Sequence, residues 1–214
     1  MTQALPKLVT FEEFVEWKPD TERYELHNGV IIKMPQPVGE HEEVTGFLAF
    51  ELTRECILLN LPYFIPKTAL VKPPDNESGY SPDVLLLNRP NLTNELLWKK
   101  ESTVSQPTSI PLIIEVVSTN WRDDYHKKYA DYVGRSPSRW VEMGIPEYWI
   151  VDYAALGGRE FIGEPKQPTI LVCSLDEGEY RISRFRGDQR IQSPTFPKLN
   201  LTADQIFLAG REQR

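Results

Sequence analysis

The sequence predicts an α/β protein: a mixed β-sheet flanked by helices, with a β-hairpin attached at the N-terminus and further strands at the C-terminus. Three observations carry this. A long amphipathic stretch from residue 40 is followed by three strand-like runs, a capped helical pattern and another strand. Asn28-Gly29 and Glu177-Gly178 each sit between strand-like runs, where residues tolerant of positive φ close tight hairpins. The 214 residues are 40% hydrophobic, 26% charged and 11% aromatic, enough to build a globular core.

The elements follow in order. Thr10 with Glu13 has capping-box spacing, and Phe11, Phe14 and Val15 recur at helical period, so a short helix ends by Pro19. Tyr24 to Leu26 and Val30 to Met34 form the first hairpin. Over Glu40 to Leu59, Val44, Phe47, Leu48 and Leu52 make one apolar stripe, with Glu42, Glu43, Glu51 and Glu55 assigned to the polar face. Strands are expected at Tyr63 to Val71, Ser81 to Leu87 and Leu112 to Val117, with a turn of helix at Asn94 to Lys99 in the long connection before the third. Asn120 caps a helix carrying Trp121, Tyr125, Tyr129 and Tyr132 on one side. Tyr148 to Val151 is the next strand, and Thr169 to Ser174 with Glu179 to Phe185 the last hairpin. The expected organisation is one domain over 1–214, with its core at about 40–153, the N-terminal helix and hairpin at 10–34 and the C-terminal hairpin at 168–186.

Composition excludes several classes. No apolar run approaches the roughly 20 residues of a membrane helix, and Met1 to Thr10 has no apolar signal core, so the expected compartment is the cytoplasm. Cys56 and Cys173 have no metal-site or redox spacing and read as buried thiols. The net charge of −7 argues against nonspecific coating of nucleic acid. A local basic surface remains open at 121–140 and at 181–190, where four arginines fall in ten residues. There is no nucleophile elbow, phosphate-binding loop or dinucleotide fingerprint, and three histidines without ligand spacing give no zinc signature.

Glu115 is the most informative residue, being the one charge in Leu112-Ile-Ile-Glu-Val-Val117. A strand apolar on both faces is buried on both, and a carboxylate there is costly to desolvate without a cation or donors. Asp83 follows Pro82 at the start of a second apolar strand. Two carboxylates on neighbouring strands can share a hard cation such as Mg²⁺, which prefers oxygen ligands. Lys127 and Lys128 lie on the following helix, with Lys128 beside the aromatic stripe. Glu25 sits in the hairpin and can serve the same site or pair across the strand with Lys33. His41, at the start of the long helix, reads as a cap or surface residue.

Pro82-Asp83 and Glu115-Val116-Val117, within helix, three strands, helix, strand, resemble the restriction-endonuclease-like, PD-(D/E)xK nuclease superfamily. More closely, Tyr24-Glu-Leu-His-Asn-Gly29, Glu115-Val-Val-Ser118, Trp121-Arg-Asp-Asp-Tyr125 and Gly144-Ile-Pro-Glu-Tyr-Trp-Ile-Val-Asp152 resemble a family of putative restriction endonucleases abundant in photosynthetic bacteria, over about Val9 to Ala209. The superfamily's lysine, two positions after the glutamate, is Val117 here; the resemblance implies that its role has moved to Lys128. Gly134 to Val141 stands as an extra segment relative to that pattern.

The resemblance implies a restriction-endonuclease-like fold and an endonuclease that uses Mg²⁺ or Mn²⁺ to cut DNA, and a homodimer is expected by analogy with enzymes that cut both strands. Asp83 and Glu115 would bind the metal, with the Val116 carbonyl completing the site. Lys128 would position the attacking water and Glu25 assist from the hairpin. The acidic balance and the extra segment keep a second reading open, a catalytically silent nuclease fold acting as a binding or regulatory module.

Overall fold

The computed structural model describes residues 8–19, 22–73, 77–118 and 143–211. The expected helix from Asn120, both of its lysines and the extra segment 134–141 lie outside the described residues.

Helix α1 (Phe11–Trp17) starts at Thr10, whose side chain accepts from the Glu13 amide while Glu13 returns the bond, as the capping-box spacing predicts. Strands β1 (Tyr24–His27) and β2 (Val30–Lys33) pair antiparallel across Asn28 and Gly29, with φ of 50° and 79°. This ribbon stays apart from the main sheet and is tied to the 77–80 segment by a Leu26–Gly79 bridge. Gly79 is required there, because a Cβ would sit 2.7 Å from the Phe11 ring.

Helix α2 (Gly39–Leu58) buries His41, Val44, Leu48, Leu52 and Cys56. Glu51 and Glu55 are also buried, contrary to the expected polar placement. They lie 7 and 11 residues after Val44, a spacing that returns them to the inward side, and Glu51 carries Arg54 with it at 2.6 Å. The expected strand from Tyr63 to Val71 is two separate strands. Pro66 breaks the run: β3 (Tyr63–Phe64) joins the main sheet, while β4 (Leu70–Val71) pairs in parallel with β6 (Thr103–Val104).

The main sheet has the order β10-β9-β8-β7-β5-β3, where β5 is Val84–Asn88, β7 Leu112–Val116, β8 Glu147–Asp152, β9 Thr169–Asp176 and β10 Glu179–Phe185. Only β7 and β8 run parallel, and the rest pair antiparallel. The expected C-terminal hairpin therefore extends this sheet rather than forming a second one. Between β5 and β7 the chain makes 3₁₀ turns at Arg89–Asn94 and Pro107–Ser109, and helix α3 at Trp98–Glu101.

Each central strand buries both faces. Val84, Leu86, Ile114, Val116, Trp149 and Val151 point to α2 and to the C-terminal helix Ala203–Ala209. Leu85, Leu87, Ile113, Val117, Tyr148 and Ile150 point to the other side, under Val71, Tyr80, Val104 and Phe161. This two-sided burial is what near-continuous apolar strands require. Fully buried Glu147 fastens the C-terminal segment to β8: its carboxylate accepts from Trp149 Nε1 at 2.6 Å, the Thr195 amide at 2.8 Å and the Ser193 hydroxyl at 3.0 Å. Burial, outweighing these bonds, moves its pKa above the usual carboxylate range.

Candidate active site

The β5–β7 register brings the two predicted metal-binding carboxylates together. Val84 pairs with Ile114, Leu85 with Ile113 and Leu86 with Leu112. Continued one residue outward, that register sets Asp83 opposite Glu115. Directly opposed residues of antiparallel strands share a face, with Cβ atoms about 5 Å apart. Glu115 itself is buried within β7, beside Ile150 of β8.

Asp83 is held by the strand it faces, its Oδ2 accepting from the Val116 amide at 2.8 Å. The side chain thus substitutes for a backbone acceptor where β5 has ended. The same oxygen lies 3.4 Å from His41 Nε2, and that nitrogen is 3.1 Å from the Val116 carbonyl. Facing two acceptors, Nε2 carries the hydrogen. His41 Nδ1 has Glu42 Oε1 at 3.5 Å, beyond a formed hydrogen bond. Burial alone would lower the imidazole pKa, but Asp83, the Val116 carbonyl and Glu42 together overcome it and leave the pKa raised.

His41 was not legible as part of a site: it is buried, not a cap or a surface residue. The signal that could have found it is its spacing, three and seven residues before Val44 and Leu48, which places it on the inward stripe.

Glu25 comes near the site through the backbone. Its Oε1 accepts from the Ser81 amide at 3.0 Å and its Oε2 meets His27 Nε2 at 2.8 Å. A cross-strand pair with Lys33 does not form, because Lys33 lies opposite Tyr24 and its ammonium is 2.6 Å from Glu22. Glu25 thereby ties the ribbon to the residue two positions before Asp83.

Three of the four arginines at 181–190 are engaged within the chain, and Arg184 is exposed. Arg186 donates to the Thr169 hydroxyl and the Ile162 carbonyl, Arg190 to the Leu199 carbonyl, and Arg181 pairs with Asp176 at 2.9 Å. These contacts hold the C-terminal strands and loop.

The donor set matches a small hard cation. Mg²⁺ takes oxygen ligands, commonly one or two carboxylates with several waters, and Asp83 and Glu115 supply two carboxylates at one strand end. Among the described residues no group of three or more His, Cys, Asp or Glu side chains is arranged around a common centre, which sets this pair apart from a caged structural metal.

A family model described as Uma2, putative restriction endonuclease, matches residues 11–204. The chain belongs to this family. No curated protein matches this Uma2 chain. Among solved structures, it is similar to a putative nuclease belonging to DUF820 from Anabaena variabilis ATCC 29413, with 14% sequence identity, a TM-score of 0.69, and coverage of 95% of this chain and 99% of the other. That likeness shows the fold, a six-stranded mixed sheet flanked by helices, as the sequence predicts. Among the described residues no helix is long and apolar enough to cross a membrane.

Proposed function

We propose that this Uma2 protein is a metal-dependent endonuclease that hydrolyses phosphodiester bonds of DNA. The observation that carries the reading is the β5–β7 register, which aligns Asp83 with Glu115 at the end of two buried strands. These residues would hold Mg²⁺ or Mn²⁺. A divalent cation bound there supplies positive charge to the phosphoryl group and acidifies water at neutral pH.

The chain's own groups do the remaining work. Asp83 is pinned by the Val116 amide and by His41, so its carboxylate is oriented before any ligand arrives. Glu25 holds the ribbon against Ser81 and assists by fixing that approach. Lys128, by resemblance to the family pattern, orients the attacking water and offsets charge developing on phosphate. The site operates in the cytoplasm as a homodimer, since cutting both strands of a duplex calls for two sites.

The test is to incubate purified protein with supercoiled plasmid and Mg²⁺ or Mn²⁺, alongside calorimetric titration with Mn²⁺. Nicking that is lost in Asp83→Ala and Glu115→Ala is expected. Absence of both nicking and metal binding overturns the reading, and sedimentation as a monomer at micromolar concentration overturns the dimer.

A further inference from the structure

We propose that Arg23 and Lys67 form a subsite for a backbone phosphate of the bound nucleic-acid strand, in the cleft that opens beside Asp83. The inference rests on the nuclease reading and adds where the strand runs.

The cleft has a volume of about 280 Å³, and its lining includes Arg23, Lys67, Thr68, Ser81 and Asp83. A second groove of about 330 Å³ shares Arg23, Thr68 and Ser81 with it and extends to Lys18 and Gln36; its two carboxylates, Glu22 and Glu101, are paired with Lys33 and Lys100. Together they make one channel from Asp83 along the mouth of the N-terminal ribbon. Glu42 lines the same cleft, but it and Asp83 flank the two nitrogens of His41 at 3.5 and 3.4 Å. Neither carboxylate forms an ion pair with Arg23 or Lys67.

Arg23 and Lys67 are both exposed, and neither makes an ion pair with a described residue. Several other cations are already engaged: Lys33, Arg54, Arg159 and Arg181 each meet a carboxylate, and Arg186 and Arg190 are bonded to the chain. Two uncommitted cations with the Thr68 and Ser81 hydroxyls make a set suited to phosphate oxygens.

Their placement relative to Asp83 is fixed. The Arg23 carbonyl accepts from the Met34 amide at 2.9 Å, closing the ribbon's mouth. Two residues on, Glu25 accepts from the Ser81 amide at 3.0 Å, and two residues beyond Ser81 comes Asp83. This strut of six residues and one hydrogen bond sets the Arg23 backbone at a constant reach from the carboxylate. Lys67 lies in the connection between β3 and β4, on the wall of the same cleft.

The experiment is fluorescence anisotropy of a labelled DNA duplex with the full chain, in Ca²⁺ and in EDTA, over a range of salt. Arg23→Ala/Lys67→Ala, Arg23→Gln and Lys67→Gln are compared with the parent, and Arg184→Ala serves as a cationic control. The double variant should bind at least tenfold more weakly and flatten the dependence of log Kd on log salt by about 1, for the one backbone phosphate that the subsite neutralises. Mn²⁺ calorimetry and thermal unfolding should match the parent, and Arg184→Ala should bind normally. An unchanged affinity and salt slope in the double variant overturns the subsite, as does a parent chain that binds no DNA under any condition. Failure of the nuclease reading looks different: the parent then neither nicks plasmid nor binds Mn²⁺, while salt-dependent DNA binding through Arg23 and Lys67 still upholds the channel.

Discussion

His41 Nε2 lies 3.4 Å from Asp83 Oδ2 and 3.1 Å from the Val116 carbonyl, so a single imidazole on α2 links the end of β7 to the carboxylate in front of β5. Asp83 is thus gripped from two sides, by the Val116 amide and by His41. A partner that orients a metal-binding carboxylate typically matters 10–100-fold for metal affinity. His41→Ala is expected to weaken Mn²⁺ binding by about that factor while removing the donor that faces the Val116 carbonyl and Asp83, at a cost of about 1–3 kcal/mol. His41→Gln, which can present an N–H, should recover part of the metal affinity. Calorimetry and urea unfolding check the two effects separately; metal affinity unchanged in His41→Ala would show that the Val116 amide alone suffices.

Asp83 and Glu115 should separate when they are neutralised. Asp83→Asn keeps an oxygen for the Val116 amide, so the fold should hold while Mn²⁺ binding falls. Asp83→Ala leaves that amide unpaired and should lose about 1–3 kcal/mol as well. Glu115→Gln keeps the size and one oxygen of the buried side chain, so the fold should hold while Mn²⁺ binding falls. Urea unfolding of the three variants in EDTA gives the order.

The two thiols give a pH dependence with a definite sign. Burial pushes Cys56 to about 11 and Cys173 to about 12, against 9.0 for a free thiol. Above pH 9 the unfolded chain releases these protons while the folded one retains them. The unfolded state then binds fewer protons, so stability falls as pH rises from 9 towards 11 and 12. Cys173→Val should flatten part of that decline in urea-unfolding series. At pH 8 a thiol reagent should label neither cysteine in the native protein and both after denaturation.

How far the sequence was legible depended on whether the deciding interaction was local. The Thr10 capping box, the Asn28-Gly29 and Glu177-Gly178 hairpins, and the two-sided apolar runs of β5, β7 and β8 are encoded within a few residues of each other, and each forms where expected, except that β5 starts at Val84 rather than Ser81. Failures came where a distant partner decides. Pro66 was visible, yet only the pairing of Leu70 and Val71 with Thr103 and Val104 shows that the run divides between two sheets. The helix Ala203–Ala209 was missed, although Thr202 and Gln205 form a capping box that its sequence displays. In the site, Asp83 and Glu115 could be singled out because a charge in an apolar strand is conspicuous. His41 is part of an ordinary helical stripe until the structure shows which oxygen it meets. The arginines from 181 to 190 suggested a basic surface because charge counts do not reveal that Arg186 and Arg190 are spent on backbone carbonyls.

The lysines of the segment following β7 provide the sharpest test of the hydrolytic reading. Read as neighbours on an α-helix, Lys127 and Lys128 differ in direction by about 100°, so the two cannot face the same carboxylates equally. The resemblance and the Tyr125, Tyr129, Tyr132 spacing favour Lys128. Lys128→Ala is expected to abolish plasmid nicking while leaving Mn²⁺ affinity nearly intact, because the lysine acts on water and phosphate rather than on the cation. Lys127→Ala should cut at a reduced rate that recovers at low salt, as expected of a phosphate contact. Deleting Gly134 to Val141 should leave cleavage equal or higher if the segment is a tolerated insertion. A Lys128→Ala protein that cuts at the parental rate, or a Lys127→Ala protein that is dead, would move the catalytic lysine away from position 128 without disturbing the assignment of Asp83 and Glu115, which calorimetry tests independently.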